Sequence, residues 1–375
     1  MLIARVIARL ELGGTQLGAL RLTRALRSLG VETRLLAGSA TPECSELFER
    51  AGIEVEVWPD AREDLQYASD PAFASWLGPR IEGADLVHGH MFGGWWAVTE
   101  AAAERQPVVA SEHNALQWPS EPCIAEMRRA LRRVDAFFAH GPATRATVQG
   151  LGLPGSRLYA GRSAVEPPAP SPEVVPATLE DLPHPRILFA GRLHREKGPD
   201  VLLEALARLS PPPACVLLGI GPEEAALRRR AGELGVDHAV RMPGWEERVG
   251  PWLAGADLLV VPSRYESWSQ AAVTAMAHGV PVVATNVEGL PTTLADGRGV
   301  LVPSEDPASL ARAIRDVING RRVPDLAAAR SYAARYTATG VAAYYLAVYR
   351  DLLSGAPSAG RIPEPARRAQ GRRAA

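Results

Sequence analysis

Apolar and polar positions follow two rhythms along this chain. Short apolar runs of strand length are followed by stretches in which apolar residues recur every third or fourth position, as on one face of a helix. Residues 1–10 (MLIARVIARL) read as a first buried strand, and the Gly13-Gly14 turn comes too soon after them for a signal peptide. Residues 15–29 read as a helix with Leu17, Leu20, Leu22, Leu26 and Leu29 on its apolar face, stopped by Gly30. The same rhythms predict strands at 31–36, 53–57, 85–88, 107–111, 136–140 and 157–159. Helices are expected between them at 43–51, 71–81, 93–104, 121–133 and 143–150. Such alternation implies a parallel sheet with helices on both faces.

At residues 166–185 (EPPAPSPEVVPATLEDLPHP) the rhythm stops. Proline brings no N–H to a ladder, so this stretch reads as a hinge. The alternation then restarts, with strands at 186–190, 214–218, 240–242, 258–261, 280–284 and 299–302. The matching helices fall at 199–209, 223–234, 249–254, 267–278, 290–294 and 307–319. The expected fold is α/β, two doubly wound Rossmann-like domains facing each other across a cleft. Their spans are 1–165 and 186–335, followed by a tyrosine-rich helix within 336–355 that packs as core or crosses back, and a frayed basic tail over 356–375. In such sheets ligands sit at the carboxyl ends of the strands.

Composition narrows this picture. With 375 residues, 47% hydrophobic and 22% charged, the chain suits two globular domains. A net charge of -1 argues against nucleic acid as a partner. No apolar run is long enough to span a membrane. Cys44, Cys123 and Cys215 lie far apart without metal spacing, which suits a reduced, cytoplasmic protein. Nothing in the composition sets an oligomeric state.

The candidate chemistry centres on LFAGRLHREKGPDVLL, a strand, a turn and a helix start. Lys197 is the only lysine of the chain. A compact ammonium kept where arginine is otherwise universal suggests a tight site. Arg192 and Lys197 share a loop above a strand end, where cations suit a phosphate. Further on, VVPSRYESWSQ joins a strand to a helix start through Glu266. Two cations and a helix N-terminus can hold a diphosphate and stabilise it as a leaving group. Plainer readings stand beside these. Arg192 could pair with Glu196, Glu266 could cap its helix, His113 could be structural, and Gly13-Gly14 could be an ordinary turn. His88 and His90 lack further ligands for a metal.

GRLHREKG, PSRYESWSQAAVTAMAHGVPVVAT and the Gly219-Ile220-Gly221-Pro222 turn resemble the nucleotide-sugar half of the family 4 retaining glycosyltransferases, which have the GT-B fold. The first half is similar more loosely, through its Gly-Gly loop, LVHGHM and VVASEH. The resemblance implies that Arg192 and Lys197 contact a donor diphosphate and that Glu266 binds hydroxyls of the donor sugar. It places Gly13, Gly14, Gly191, Gly221, Ser267, Trp268 and Ser269 on donor loops, and His113 near the sugar. The family's second glutamate falls at Thr274, a departure that changes the ribose contact. Ser163-Ala164-Val165-Glu166 stands where Asn-Gly-Val-Asp is usual.

A narrower similarity, through GGTQLGALRL, HMFGGWW, SEHNALQWP and YESWSQAAVTAM, is to the glycosyltransferases of aminoglycoside antibiotic assembly. It implies transfer of a hexosamine or hexose, in the first place N-acetylglucosamine, from a UDP-sugar without a metal or other cofactor. The acceptor would be the aminocyclitol 2-deoxystreptamine or a derived pseudodisaccharide. A polyamine acceptor needs carboxylates and aromatic faces, and Glu11, Glu112, Trp95, Trp96 and Trp118 sit on first-domain loops where they could supply them. Ordinary surface and core is the plainer reading of those residues. The alternatives are a family 4 enzyme for a lipid or polysaccharide acceptor, and a non-catalytic GT-B partner protein.

Overall fold

The computed structural model describes residues 1–114, 116 and 120–355, so the tail expected over 356–375 lies outside the described residues. The first sheet holds β1 (Leu2–Ile7), β2 (Glu32–Ala37), β3 (Val55–Val57), β4 (Leu86–His90), β5 (Val108–Glu112), β6 (Ala136–Ala139) and β7 (Leu158–Ala160). Its order is β3-β2-β1-β4-β5-β6-β7. The second sheet holds β8 (Arg186–Ala190), β9 (Ala214–Leu218), β10 (Val240–Gly244), β11 (Leu258–Val261), β12 (Val282–Thr285) and β13 (Val300–Val302). Its order is β10-β9-β8-β11-β12-β13. All pairings are parallel. The central strands are buried on both faces, which is why they read as unbroken apolar runs.

Differences from the sequence reading have local causes. β1 ends at Ile7, and the chain beyond it keeps irregular pairing, with the Ala8 N–H on the His90 carbonyl at 3.2 Å and an isolated bridge from Leu10 to Ala40. The helix expected at 267–278 starts at Gln270, because the Ser269 hydroxyl accepts the Ala272 N–H at 3.2 Å and caps it there. The 3-10 turn Glu63–Gln66 and the helix Leu326–Ala333 are additions. Polar WPDAREDLQ and alanine-rich DLAAARSYAARY carry too few large apolar residues to mark a face. Residues 166–185 contain no strand, but they are not loose. Leu179 and Leu182 are buried, and Val175 packs where Gly255 leaves room.

The final helix, Ala338–Ser354, lies against the first helix, Gly14–Ser28, and so returns to the first sheet. Tyr345 stacks on Phe138 with ring centroids 4.1 Å apart, and its hydroxyl donates to the Arg162 carbonyl at 3.3 Å. Tyr349 hydroxyl meets His88 Nδ1 at 2.7 Å. The tyrosine stripe is therefore core. Tyr345→Ala is expected to cost about 3–5 kcal/mol of unfolding free energy, as for other large aromatic truncations. Tyr349→Phe, which deletes one hydrogen bond and keeps the ring, should cost about 1–3 kcal/mol. Urea unfolding of both variants checks the order.

Candidate active site

Each sheet reverses its strand order once, between β1 and β4 and between β8 and β11. In doubly wound sheets this is where a crevice opens at the carboxyl ends. Here the two crevices meet in one cavity of about 260 Å³. The first domain lines it with Glu11, Gly13, Gly14, Tyr67, His113 and Asn114, among others. The second contributes Gly191, Arg192, Lys197, Glu266, Ser269 and Thr274.

Lys197 closes a 3-10 turn, Arg195–Lys197, before Gly198. Gly198 has φ 65°, and a Cβ there would lie 2.1 Å from the Pro262 carbonyl oxygen. Only glycine lets the β8 loop pass so close beneath the β11 loop. The crossing brings Lys197 Nζ to 2.8 Å from Glu266 Oε2, and Ser263 Oγ donates to the same oxygen at 3.4 Å. Arg264 fastens the loops from outside. Its peptide N–H donates to the Glu196 carbonyl, and its guanidinium to Asp200 and Glu305, which raises its pKa further. Arg192 stands between Glu196 (3.6 Å) and Glu11 of the opposite domain (3.8 Å). The pairing with Glu196 is thus present. With Arg192 40% exposed, such contacts are weak, and a diphosphate can displace them.

The donor-side expectations divide. Gly13, Gly14, Gly191, Trp268, Ser269 and Thr274 line the cavity. Gln270 Nε2 donates to the Gly14 carbonyl at 2.7 Å, joining the Gly-Gly loop to the opposite helix. Gly221 and Ser267 do not line it. Gly221 is pressed on the Leu193 backbone, and Ser267 on Gly141. Trp268 is largely buried against Tyr336. The Thr274 hydroxyl donates to the Gln270 carbonyl at 2.8 Å, which leaves its oxygen as an acceptor only.

The acceptor-side expectations need correction. Glu11 lines the cavity, its carboxylate also held by Arg9 at 2.9 Å. Glu112 and Trp95 do not. Both are fully buried, and Trp95 Nε1 donates to Glu112 Oε2 at 3.1 Å. Glu112 Oε1 accepts the His113 and Asn114 N–H groups, so it shapes the loop from beneath. Trp96 is buried as well, because the helix Phe92–Ala101 packs inward. Trp118 lies outside the described residues. The sequence reading missed Gln66, Tyr67, Glu166 and Gln270, all of which line the cavity. Tyr67 follows the unread 3-10 turn, whereas Glu166 was visible as a departure from the family pattern.

His113 lines the cavity within a row of rings, between His90 and His140, the latter also on the lining. His88 and His90 stack at 4.1 Å, and His113 lies against His140 at 3.9 Å. Burial, with the Arg5 charge nearby, pushes the His113 pKa down to about 3. His88, His90 and His140 are also pushed well below 6.5, burial leading in each. Burial lifts the Glu112 carboxyl from 4.5 to about 7, against the pull of its N–H donors.

Two family models match the chain. One, described as Glycosyltransferase Family 4, covers residues 12–160; the other, described as Glycosyl transferases group 1, covers 184–320. The chain is 32% identical over 400 residues to a D-inositol 3-phosphate glycosyltransferase of Xylanimonas cellulosilytica, covering 93% of this chain and 94% of that one. A protein of the same name from Streptomyces avermitilis is 29% identical over 373 residues, covering 82% and 75%. Anabaena HepE, solved in complex with UDP, shares the fold with a TM-score of 0.78 at 20% identity, covering 94% and 100%. Fold and site together are those of a GT-B glycosyltransferase using a nucleotide sugar. The chain belongs to glycosyltransferase family 4, whose members retain the configuration of the transferred sugar.

The titrating groups give opposed signs. Histidines with depressed folded pKa values stabilise the protein above their ordinary 6.5, and that stability is lost as pH falls below it. Each contributes a slope of up to about 1.4 kcal/mol per pH unit. Glu112 has a raised folded pKa, so its contribution is gained as pH falls from about 7 towards 4.5. Stability should therefore fall on acidification below 6.5, and more steeply in Glu112→Gln. Urea unfolding over a pH series checks this, and an unchanged or shallower slope in the variant contradicts it.

Proposed function

We propose that this enzyme transfers N-acetylglucosamine or a related hexose from UDP to a hydroxyl of an amine-bearing cyclitol, 2-deoxystreptamine or a pseudodisaccharide built on it. The observation that carries the acceptor class is the charge of the first-domain wall. Its lining offers Glu11, whose pairing with Arg9 at 2.9 Å and looser contact with Arg192 at 3.8 Å an acceptor ammonium would share, with Gln16, Gln66, Tyr67 and Asn114. Its arginine, Arg21, is already taken by Glu166 at 3.7 Å and the Ala164 carbonyl at 3.4 Å. A carboxylate beside neutral donors and an aromatic ring suits an ammonium-bearing polyol. A phosphorylated acceptor would call for free cations on this wall. The second reading, transfer to an inositol phosphate, is favoured by the names of the two relatives.

On the donor side, Lys197 and Arg192 offset the diphosphate charge and Glu266 orients the sugar. Thr274 accepts from a ribose hydroxyl in place of a second acid. UDP in HepE supports the choice of nucleotide. The sugar C1–O bond to phosphate breaks as the acceptor oxygen bonds C1 on the same face, and the acceptor proton leaves with the departing phosphate oxygen. Attack on that face retains configuration. Contacts across the cleft, such as Gln270 to Gly14, hold it closed against water.

A mass-spectrometric screen of UDP-sugars against 2-deoxystreptamine, its pseudodisaccharides and inositol phosphates tests the acceptor. Product with an aminocyclitol is expected; product with inositol phosphate alone overturns the acceptor class, and no product with any aminocyclitol overturns it too. Lys197→Ala should lower transfer by about two orders of magnitude or more while the melting temperature stays within a few degrees. Near-normal turnover would remove the diphosphate role.

A further inference from the structure

Arg5 is an unusual residue for the middle of β1. It is fully buried, whereas Ala4 and Val6 on either side of it in the strand are apolar. Among the described residues no carboxylate lies within ion-pairing distance of it. A buried guanidinium without an acid is costly, and an apolar side chain would serve packing better. Its Nη1 donates to the Ala19 carbonyl at 3.2 Å and to the Thr23 hydroxyl. Its Nη2 lies 3.2 Å from His90 Nε2.

The last contact has a definite direction. A guanidinium has donors and no acceptor, so His90 Nε2 must present its lone pair. A neutral imidazole with a lone pair on Nε2 carries its proton on Nδ1. His90 Nδ1 lies 3.5 Å from His113 Nε2, with the rings 5.8 Å apart and within 24° of parallel. The proton on Nδ1 therefore points at His113 Nε2, which can only accept. Each ring sets the next.

We propose that Arg5 and His90 are positioning residues that hold His113 in a single tautomer, with its proton on Nδ1. The consequence for transfer is specific. His113 lines the cavity, and with its Nε2 lone pair facing His90 across 3.5 Å, Nδ1–H is the ring donor it has to offer a ligand. It can hold a sugar hydroxyl or a developing oxyanion. It cannot be the base that takes the acceptor proton. This consequence rests on the family 4 activity, but the tautomer itself rests on neither donor nor acceptor identity.

The test uses the whole chain labelled with ¹⁵N-histidine, in long-range proton–nitrogen correlation spectra, with His113→Gln assigning the resonance. The wild type should show a protonated Nδ1 and an unprotonated Nε2 at His113. The reverse pattern, or a mixture of the two, overturns the proposal, and this reading needs no variant and no substrate. Arg5→Lys keeps a buried donor and should preserve the pattern. Arg5→Met should lose the single tautomer. If folded Arg5→Met keeps a single Nδ1–H form, Arg5 does not set it and the relay is refuted.

Discussion

Lys197 and Glu266 meet at 2.8 Å because β8 and β11 lie side by side and their loops cross over a glycine. That contact orders the site. It fixes an ammonium and a carboxylate at the carboxyl edge of the second sheet before any ligand arrives. The Arg264 ties to Asp200 and Glu305 hold the crossing from outside. Charges held in this way need little reorganisation when a phosphate charge develops, which is where electrostatic stabilisation is most effective. The opposite wall is then set by Gln270, which reaches from the same end of the second domain to the Gly14 carbonyl.

Much of this was legible in the sequence, for physical reasons that differ between residues. Strands buried on both faces appear as apolar runs, so β8, β9 and β11 were readable to the residue. Lys197 was legible because compact charge and planar charge are not interchangeable in a tight loop. Trp95 and Glu112 were misread for the converse reason. An aromatic and an acid near a strand end look the same in sequence whether they face water or each other. Only the inward packing of the helix Phe92–Ala101 shows that they form a buried pair. Tyr67 was invisible because a single 3-10 turn has no periodicity to detect.

The first domain keeps polar groups in its interior at some cost. Arg5, the histidine row and Glu112 all lie where apolar residues would pack more cheaply. They are connected, from Arg5 through His90 to His113, and from Glu112 to the His113 N–H. The loop carrying His113 is thus held on two sides from below. A side chain that must meet a sugar at a defined angle needs such support, and loops alone rarely provide it.

The return of the helix Ala338–Ser354 to the first domain bears on the order in which the molecule is made. Most of the first sheet can pair as soon as residue 160 is available, since all seven of its strands are then present. Its helix Gly14–Ser28 nonetheless lacks a covering, and His88 its tyrosine partner, until residues near 349 have been synthesised. For the whole time the second domain is being translated, the first carries an apolar groove open to solvent. The nascent chain is therefore most exposed to wrong partners at that point, and the buried His88 beneath the site gains its tyrosine partner only when the final helix docks.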